Sequence, residues 1–301
     1  MEQEKHTKLK TITILGTGIM GAAVAKNLQK DGFNVHVWNR TKAKAKKLES
    51  LDIHIFDTPQ EAVQGTDVII TFLKDGSTVM ETMQAVKTEL SSDMIWLQMS
   101  TVGLYIDKLI EFSDQQNIIF YDVPVQGTKQ PAEQGQLVML PSGPIKYRKE
   151  IIPIFSAIGK QTFWISEKVG ESSRLKLALN SWVAALTHGV AESLTLAEGL
   201  GIDPNWVVEV VSGGPMDNMY FQQKSQAMLE KDFAPSFSAY NALKDTEIVA
   251  EAAKEENLQL DIAQAGLKRF ERVVNEGHGD KDMAASYLVT EGKISFNKIK
   301  K

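Results

Sequence analysis

The chain has 301 residues, 43% hydrophobic and 24% charged, with a formal net charge of −5 at pH 7. That length suits two domains, since single cores stop growing near ~250–300 residues, and the composition is that of a globular enzyme or binding protein. The negative charge gives no electrostatic case for nucleic acid, and no apolar run approaches the ~18 residues of a membrane span.

In chain order, the opening "MEQEKHTKLK" reads as a short solvated tail rather than a signal peptide. The first half then alternates short apolar runs with amphipathic segments, the βαβ pattern of a parallel sheet. Strands are expected at 11–15, 35–38, 67–73, 94–99 and 118–125, with helix-like stretches at 19–31 and 78–90 and a capped helix start at Thr58-Pro59. Residues 136–143 and 161–165 read as later strands of the same domain, around a helix at 146–158. After about residue 166 the strands stop. Residues 170–201 hold no proline and are rich in Ala and Leu, so they predict a helix of ~30 residues and ~45 Å. It is apolar on most faces, which points to burial between domains or subunits. Helices follow at 203–214, 241–256, 259–276 and 280–289, with "GHGDKD" (277–282) read as a helix stop and restart. The expected fold class is α/β, with an N-terminal Rossmann domain (1–165), a C-terminal all-α domain (166–301), a long helix joining them and the active cleft between. The long apolar helix exceeds one domain's need, so a homodimer or larger homo-oligomer is expected.

Cysteine is absent, which excludes disulfides and thiolate chemistry and fits a reducing cytoplasm. His6, His36, His54, His188 and His278 are scattered without ligand spacing, so no metal is expected. The basic run "KAKAKK" (42–47) reads as a solvated helix face, or as local positive potential near a phosphate at the end of the second strand.

Gly16-Thr17-Gly18-Ile19-Met20-Gly21 is a G-x-G-x-x-G run placed directly after a strand and opening a helix. Gly16 makes the tight turn, Gly18 lets a pyrophosphate approach the backbone, and Gly21 permits close helix–strand packing. The helix N-terminus then offers free N–H groups and a positive dipole end. NAD-binding versions place an acid about twenty residues on, for the ribose 2′-OH. Here Asn39-Arg40-Thr41 stands at the end of strand two. A carboxylate repels a 2′-phosphate, whereas an amide, a guanidinium and a hydroxyl bind one, so NADP(H) is expected over NAD(H).

Lys176 and Asn180 stand four apart on the long helix and share one face. Read alone, the lysine suits a snorkelling surface side chain. The segment "GESSRLKLALN" (170–180) nevertheless resembles the catalytic segment of the β-hydroxyacid (3-hydroxyisobutyrate) dehydrogenase family, with a glycine six residues before a lysine and an asparagine four after. "FYDVPVQGTKQPAEQGQLVML" (120–140) resembles that family's substrate loop, and "STV" (100–102), "LKD" (243–245) and "GHGDKDMAA" (277–285) also match. "GTKQPAEQG" and "WNRT" look most like the glyoxylate and succinic semialdehyde reductase branch.

The resemblance implies an NADPH-dependent reduction of a small aldehyde or keto acid. Hydride addition to a carbonyl builds charge on oxygen, which a positioned acid must neutralise. Lys176 is that acid in reduction and the base in oxidation, and partial desolvation near a nicotinamide can lower a lysine pKa toward neutrality. Asn180 bonds the same oxygen or holds the ammonium. The substrate carboxylate falls to Ser100 and the loop Gln126-Gly127-Thr128, where Gln126 replaces the family's serine and makes the pocket smaller or differently shaped. Thr101 meets the nicotinamide ribose and Lys244 closes over the cofactor, although Lys244-Asp245 also suits a surface ion pair. Leu73 and Lys74, in "LKDGSTV" (73–79), are expected near the adenine ribose or pyrophosphate. Imine reductases share the architecture and the "WNRT" ending but carry another residue at the lysine position. Phosphogluconate dehydrogenases show a Lys-x-x-His-Asn run that is missing here. A non-catalytic binding relative of the fold is expected to have lost its lysine.

Overall fold

The computed structural model describes residues 11–289, and the N-terminal segment with His6 lies outside them. The chain divides after Lys176 into two compact units. The first begins β1 (Thr11–Leu15), α1 (Ile19–Lys30), β2 (Asn34–Trp38), α2 (Lys42–Ala45), β3 (His54–Ile55), α3 (Pro59–Val63), β4 (Val68–Thr71), α4 (Gly76–Ala85), β5 (Ile95–Gln98), α5 (Ile106–Gln116) and β6 (Ile119–Asp122). It continues with β7 (Val125–Gln126), α6 (Lys129–Glu133), β8 (Leu137–Met139), α7 (Arg148–Ile158), β9 (Gly159–Thr162) and the start of α8 (Glu171–Gly199).

β1 to β6 form one sheet in the order β3-β2-β1-β4-β5-β6, with each pair parallel. This is the doubly wound order, and its direction reverses between β1 and β4, where such sheets bind ligands. β4 and β5 are buried at each position, as strands covered on both faces must be, which is why they read as continuous apolar runs. Register aligns Trp38, Leu15, Thr71, Gln98 and Asp122 in one row near the carboxyl edge. The loops that follow these residues therefore emerge along a single edge.

The run expected as one strand at 118–125 is two. β6 ends at Asp122, and Pro124, which has no N–H to donate, precedes β7 in a second sheet of order β7-β8-β9. The 136–143 and 161–165 expectations correspond to the shorter β8 and β9, which belong to that second sheet. The helix expected over 78–90 ends at Ala85 and gives way to a 3-10 turn.

The second unit holds the rest of α8, then α9 (Asn205–Val211), α10 (Met219–Leu229), α11 (Ala239–Glu255) and α12 (Asp261–Val273). Its core gathers Ala191, Leu194, Met228, Ala242, Phe270 and Met283. After α12 the backbone turns at Gly277, φ 83°, in keeping with a stop and restart, but the segment that resumes, Met283–Val289, is a 3-10 helix rather than an α-helix. Asp282 anchors it. Its carboxylate pairs with buried Lys224 at 2.5 Å and accepts from Ser236 and the Ala284 N–H.

Candidate active site

The glycine turn occupies the switch point. Gly16 has φ 108°, and a Cβ there would lie 2.2 Å from the Phe72 carbonyl oxygen, so both conformation and space demand glycine. A Cβ on Gly21 would lie 1.9 Å from the Gly16 oxygen, which fixes the close approach of α1 to the turn. Gly18 differs: a Cβ there would meet no protein atom within 4 Å. Gly18 is also the N-cap of α1 and brings no side chain to the first-turn N–H groups. Packing therefore does not require glycine at this position, and the open space beside the first-turn N–H groups fits the close approach a pyrophosphate would need.

Asn39 ties the strand end to this turn. The Thr17 N–H donates to Asn39 Oδ1 at 3.0 Å, and Asn39 Nδ2 donates to the Thr41 carbonyl at 3.0 Å. A carboxylate could accept the first bond but not make the second. Arg40 and Thr41 beside it are exposed, as are Gly18 and Ile19, while Met20 is half-buried.

At the ends of β4 and β5 a buried polar network sets the next loops. Trp96 Nε1 donates to Thr71 Oγ1, the Ser100 N–H to Gln98 Oε1 at 2.6 Å, and Gln98 Nε2 to the Ser100 carbonyl at 2.9 Å. Ser100 Oγ accepts from the Leu73 N–H at 2.8 Å and donates to the Thr71 carbonyl at 3.2 Å. The hydroxyl proton is thus spent on the loop, and serving a substrate carboxylate would require it to leave Thr71. Thr101 is half-buried beside it, and Lys74 is exposed next to Asp75, whose carboxylate caps α4 through the Thr78 N–H.

Lys176, half-buried on α8, donates from Nζ to the Val125 carbonyl at 2.9 Å and to Gln126 Oε1 at 2.7 Å. Gln126 therefore touches the lysine directly. Gly127, φ 132°, follows; a Cβ there would crowd Leu137 and Pro131, and Thr128 is the N-cap residue of α6. The loop is thus braced by packing around the two acceptors.

In the second unit, Asn180 Nδ2 donates to Asp245 Oδ2 at 3.0 Å, and Lys244 Nζ pairs with Asp245 Oδ1 at 2.6 Å. Asp245 thereby joins two residues separated by 64 positions, and the Lys244–Asp245 pair is largely buried instead of superficial. Sequence reasoning had no signal for this bridge. It also missed Asp122, a fully buried carboxylate bonded to the start of α8, whose only sequence mark is an acid closing an apolar strand. Among the described residues, no group of three or more His, Cys, Asp or Glu is placed to hold a metal ion.

Comparison with known proteins agrees with this geometry. Residues 11–166 match the family profile described as the NAD binding domain of 6-phosphogluconate dehydrogenase, and residues 170–290 match that described as NAD-binding of NADP-dependent 3-hydroxyisobutyrate dehydrogenase. The chain is 29% identical over 278 residues to glyoxylate/succinic semialdehyde reductase 1 of Arabidopsis thaliana, covering 91% of this chain and 96% of that protein. It is 30% identical over 284 residues to the chloroplastic reductase 2 of the same plant, covering 92% and 79%. The fold is similar to that of a 3-hydroxyisobutyrate dehydrogenase from Salmonella typhimurium, with TM-score 0.84, 20% identity and coverage of 93% and 99%. A nicotinamide dinucleotide turn at the switch point of a doubly wound sheet, followed by a helical unit, defines an NAD(P)-binding oxidoreductase. Within that class, the chain belongs to the 3-hydroxyisobutyrate dehydrogenase-like family of NADP-dependent enzymes acting on CH–OH groups.

Proposed function

We propose that this enzyme uses NADPH to reduce a small aldehyde or keto acid of the glyoxylate or succinic semialdehyde type, with Lys176 as general acid. The observation that carries the reading is the placement of Lys176 Nζ on Val125 and Gln126, within the loop that corresponds to the family's substrate segment. The relatives' names supply the substrate class. When bound, the nicotinamide supplies hydride to the carbonyl carbon. Lys176 gives its Nζ proton to the carbonyl oxygen as charge builds there, and takes it back in oxidation. Asn180, one helical turn on, orients that oxygen through its second Nδ2 hydrogen or the ammonium through Oδ1, while its first Nδ2 hydrogen is held by Asp245.

Gln126, Gly127 and Thr128 receive the substrate carboxylate, with Ser100 holding the adjoining loop and available to it on reorientation. Cofactor contacts fall to Gly16–Gly21, to Asn39, Arg40 and Thr41, to Leu73, Lys74 and Thr101, and to Lys244. Arg40 selects the 2′-phosphate. Residues 1–165 form the cofactor unit and 166–301 the substrate and dimerisation unit. Self-association is supported by exposed Trp182, Leu196, Leu200 and Trp206. No described helix is long and apolar enough to cross a membrane, and a cytoplasmic location rests on the absence of cysteine. A turnover survey with NADPH across glyoxylate, succinic semialdehyde, uncharged aldehydes and a cyclic imine tests the substrate class. Preference for the imine would contradict it.

A further inference from the structure

Asp122 lies at the end of β6 with no exposed surface. Its backbone pairs with Ser142 in both directions, at 3.0 and 2.8 Å. Its side chain reaches the first turn of α8: Oδ2 accepts from the Ser173 N–H and Oδ1 from Ser173 Oγ, both at 2.7 Å. Ser142 Oγ accepts from the neighbouring Ser172 N–H at 3.3 Å. Two of the N–H groups that a helix start leaves without intrahelical partners are thus held by one bridge between Asp122 and Ser142.

The placement of this clamp relative to the lysine is what gives it meaning. Lys176 follows Ser173 by three residues, and Val125 follows Asp122 by three. Lys176 then bonds back to Val125 and Gln126. The result is a closed circuit with two short arms: carboxylate to helix start, helix start to lysine, lysine to the loop, and the loop back to the carboxylate. Three helical residues span only about 4.5 Å, so a shift of the first turn passes almost undiminished to the backbone that carries the Lys176 side chain. Misplacement of a reacting group by ~1 Å can cost about two decades of rate.

We propose that Asp122 is a positioning residue for Lys176, fixing the first turn of α8 so that the ammonium meets the substrate loop in register. The proposal rests on Lys176 being the general acid. Burial pushes the Asp122 carboxyl up to about 7, against the bonds from Ser173 and the charge of Arg174. Both protonation states keep two bonds, because a protonated Oδ1 donates to Ser173 Oγ in place of accepting from it.

The test is a double-mutant cycle on the full-length enzyme with saturating NADPH and its best aldehyde substrate. Asp122→Ala should lower kcat at least tenfold with NADPH affinity within about twofold of wild type. Asp122→Asn should hold kcat within about threefold, because its amide accepts from the Ser173 N–H and donates to Ser173 Oγ. In a Lys176→Ala background, Asp122→Ala should cause no further loss, since a clamp that acts through the lysine has nothing left to place. If Asp122→Ala does not fold, Ser173→Ala removes only the hydroxyl bond; it should lower kcat three- to tenfold, again only when Lys176 is present. Undiminished turnover in Asp122→Ala, an equal loss in Asp122→Asn, or the same fold-loss with and without Lys176 would each overturn the clamp. Full turnover in Lys176→Ala alone would instead remove the general-acid reading and the clamp with it.

Discussion

The side-chain carbonyl of Gln126 accepts a hydrogen bond from Lys176 Nζ at 2.7 Å. A serine at this position would be too short to make that bond from the same backbone, so Gln126 joins the proposed substrate loop to Lys176 through a longer arm. If that arm also fills part of the pocket, shortening it opens room for a longer acid. Gln126→Ser should raise the kcat/KM ratio of succinic semialdehyde to glyoxylate by about tenfold, the lower range for a methylene-sized change in a pocket. Steady-state kinetics on the two acids would show this; an unchanged ratio would mean that Gln126 does not shape the pocket.

The glycine turn predicts a split between folding and binding. Gly18→Ala places its methyl where no protein atom lies within 4 Å, so thermal stability should stay near that of wild type while NADPH affinity falls more than tenfold. Gly21→Ala drives a methyl to within 1.9 Å of the Gly16 oxygen and should lose stability as well. Thermal melts and NADPH fluorescence quenching separate the two. Equal affinity in wild type and Gly18→Ala would show that the pyrophosphate does not sit there.

Arg40 should carry much of the cofactor preference. A charge-assisted contact to the 2′-phosphate is worth roughly 1.5–3 kcal/mol, or one to two decades in affinity. Arg40→Ala should therefore weaken NADPH by that factor and leave NADH almost unchanged. An equal loss for both would assign Arg40 to folding or to a shared contact.

Asp122 also predicts a pH dependence of stability. Its folded carboxyl titrates at about 7, raised by burial against the Ser173 bonds and the charge of Arg174, whereas an unfolded aspartate titrates near ~3.9. Arg174 is itself paired with Asp107 at 2.7 Å. The folded chain holds the proton more tightly, so the stability it contributes is complete below about pH 4 and is lost as pH rises through 7. Asn at this position is neutral throughout and escapes the loss. The melting temperature of Asp122→Asn relative to wild type should rise from pH 5 to pH 8, by the equivalent of on the order of 3 kcal/mol. A difference that stays flat with pH would contradict a raised Asp122.

Local patterns carried much of this architecture. β1, β4 and β5 are short apolar runs closed by turn residues, and the glycine spacing after β1 places the switch point without any long-range information. The break at Pro124 was hidden because 118–125 is apolar on both sides of it. The helix at 219–229 carries little local signal because its apolar residues gather on no single face. The contacts that organise the site were beyond reach for a different reason. Asp122 meets Ser173 across 51 residues and Asn180 meets Asp245 across 65, and both acids look like ordinary strand-end or surface carboxylates until the fold brings their partners in. The segment around Lys176 marks it as a candidate in the sequence, but its bond to Gln126 spans 50 residues and has no local signal.

The most direct measurement is kcat for Lys176→Ala on the best aldehyde, with NADPH affinity measured in parallel. A positioned acid is worth about two to four decades, so turnover should fall by that amount. NADPH binding should hold near wild type if, as proposed, the glycine turn and Arg40 supply it. Lys176→Arg should fail too, since a guanidinium keeps its proton at neutral pH. Near-normal turnover in Lys176→Ala would contradict the general-acid role at the centre of this account.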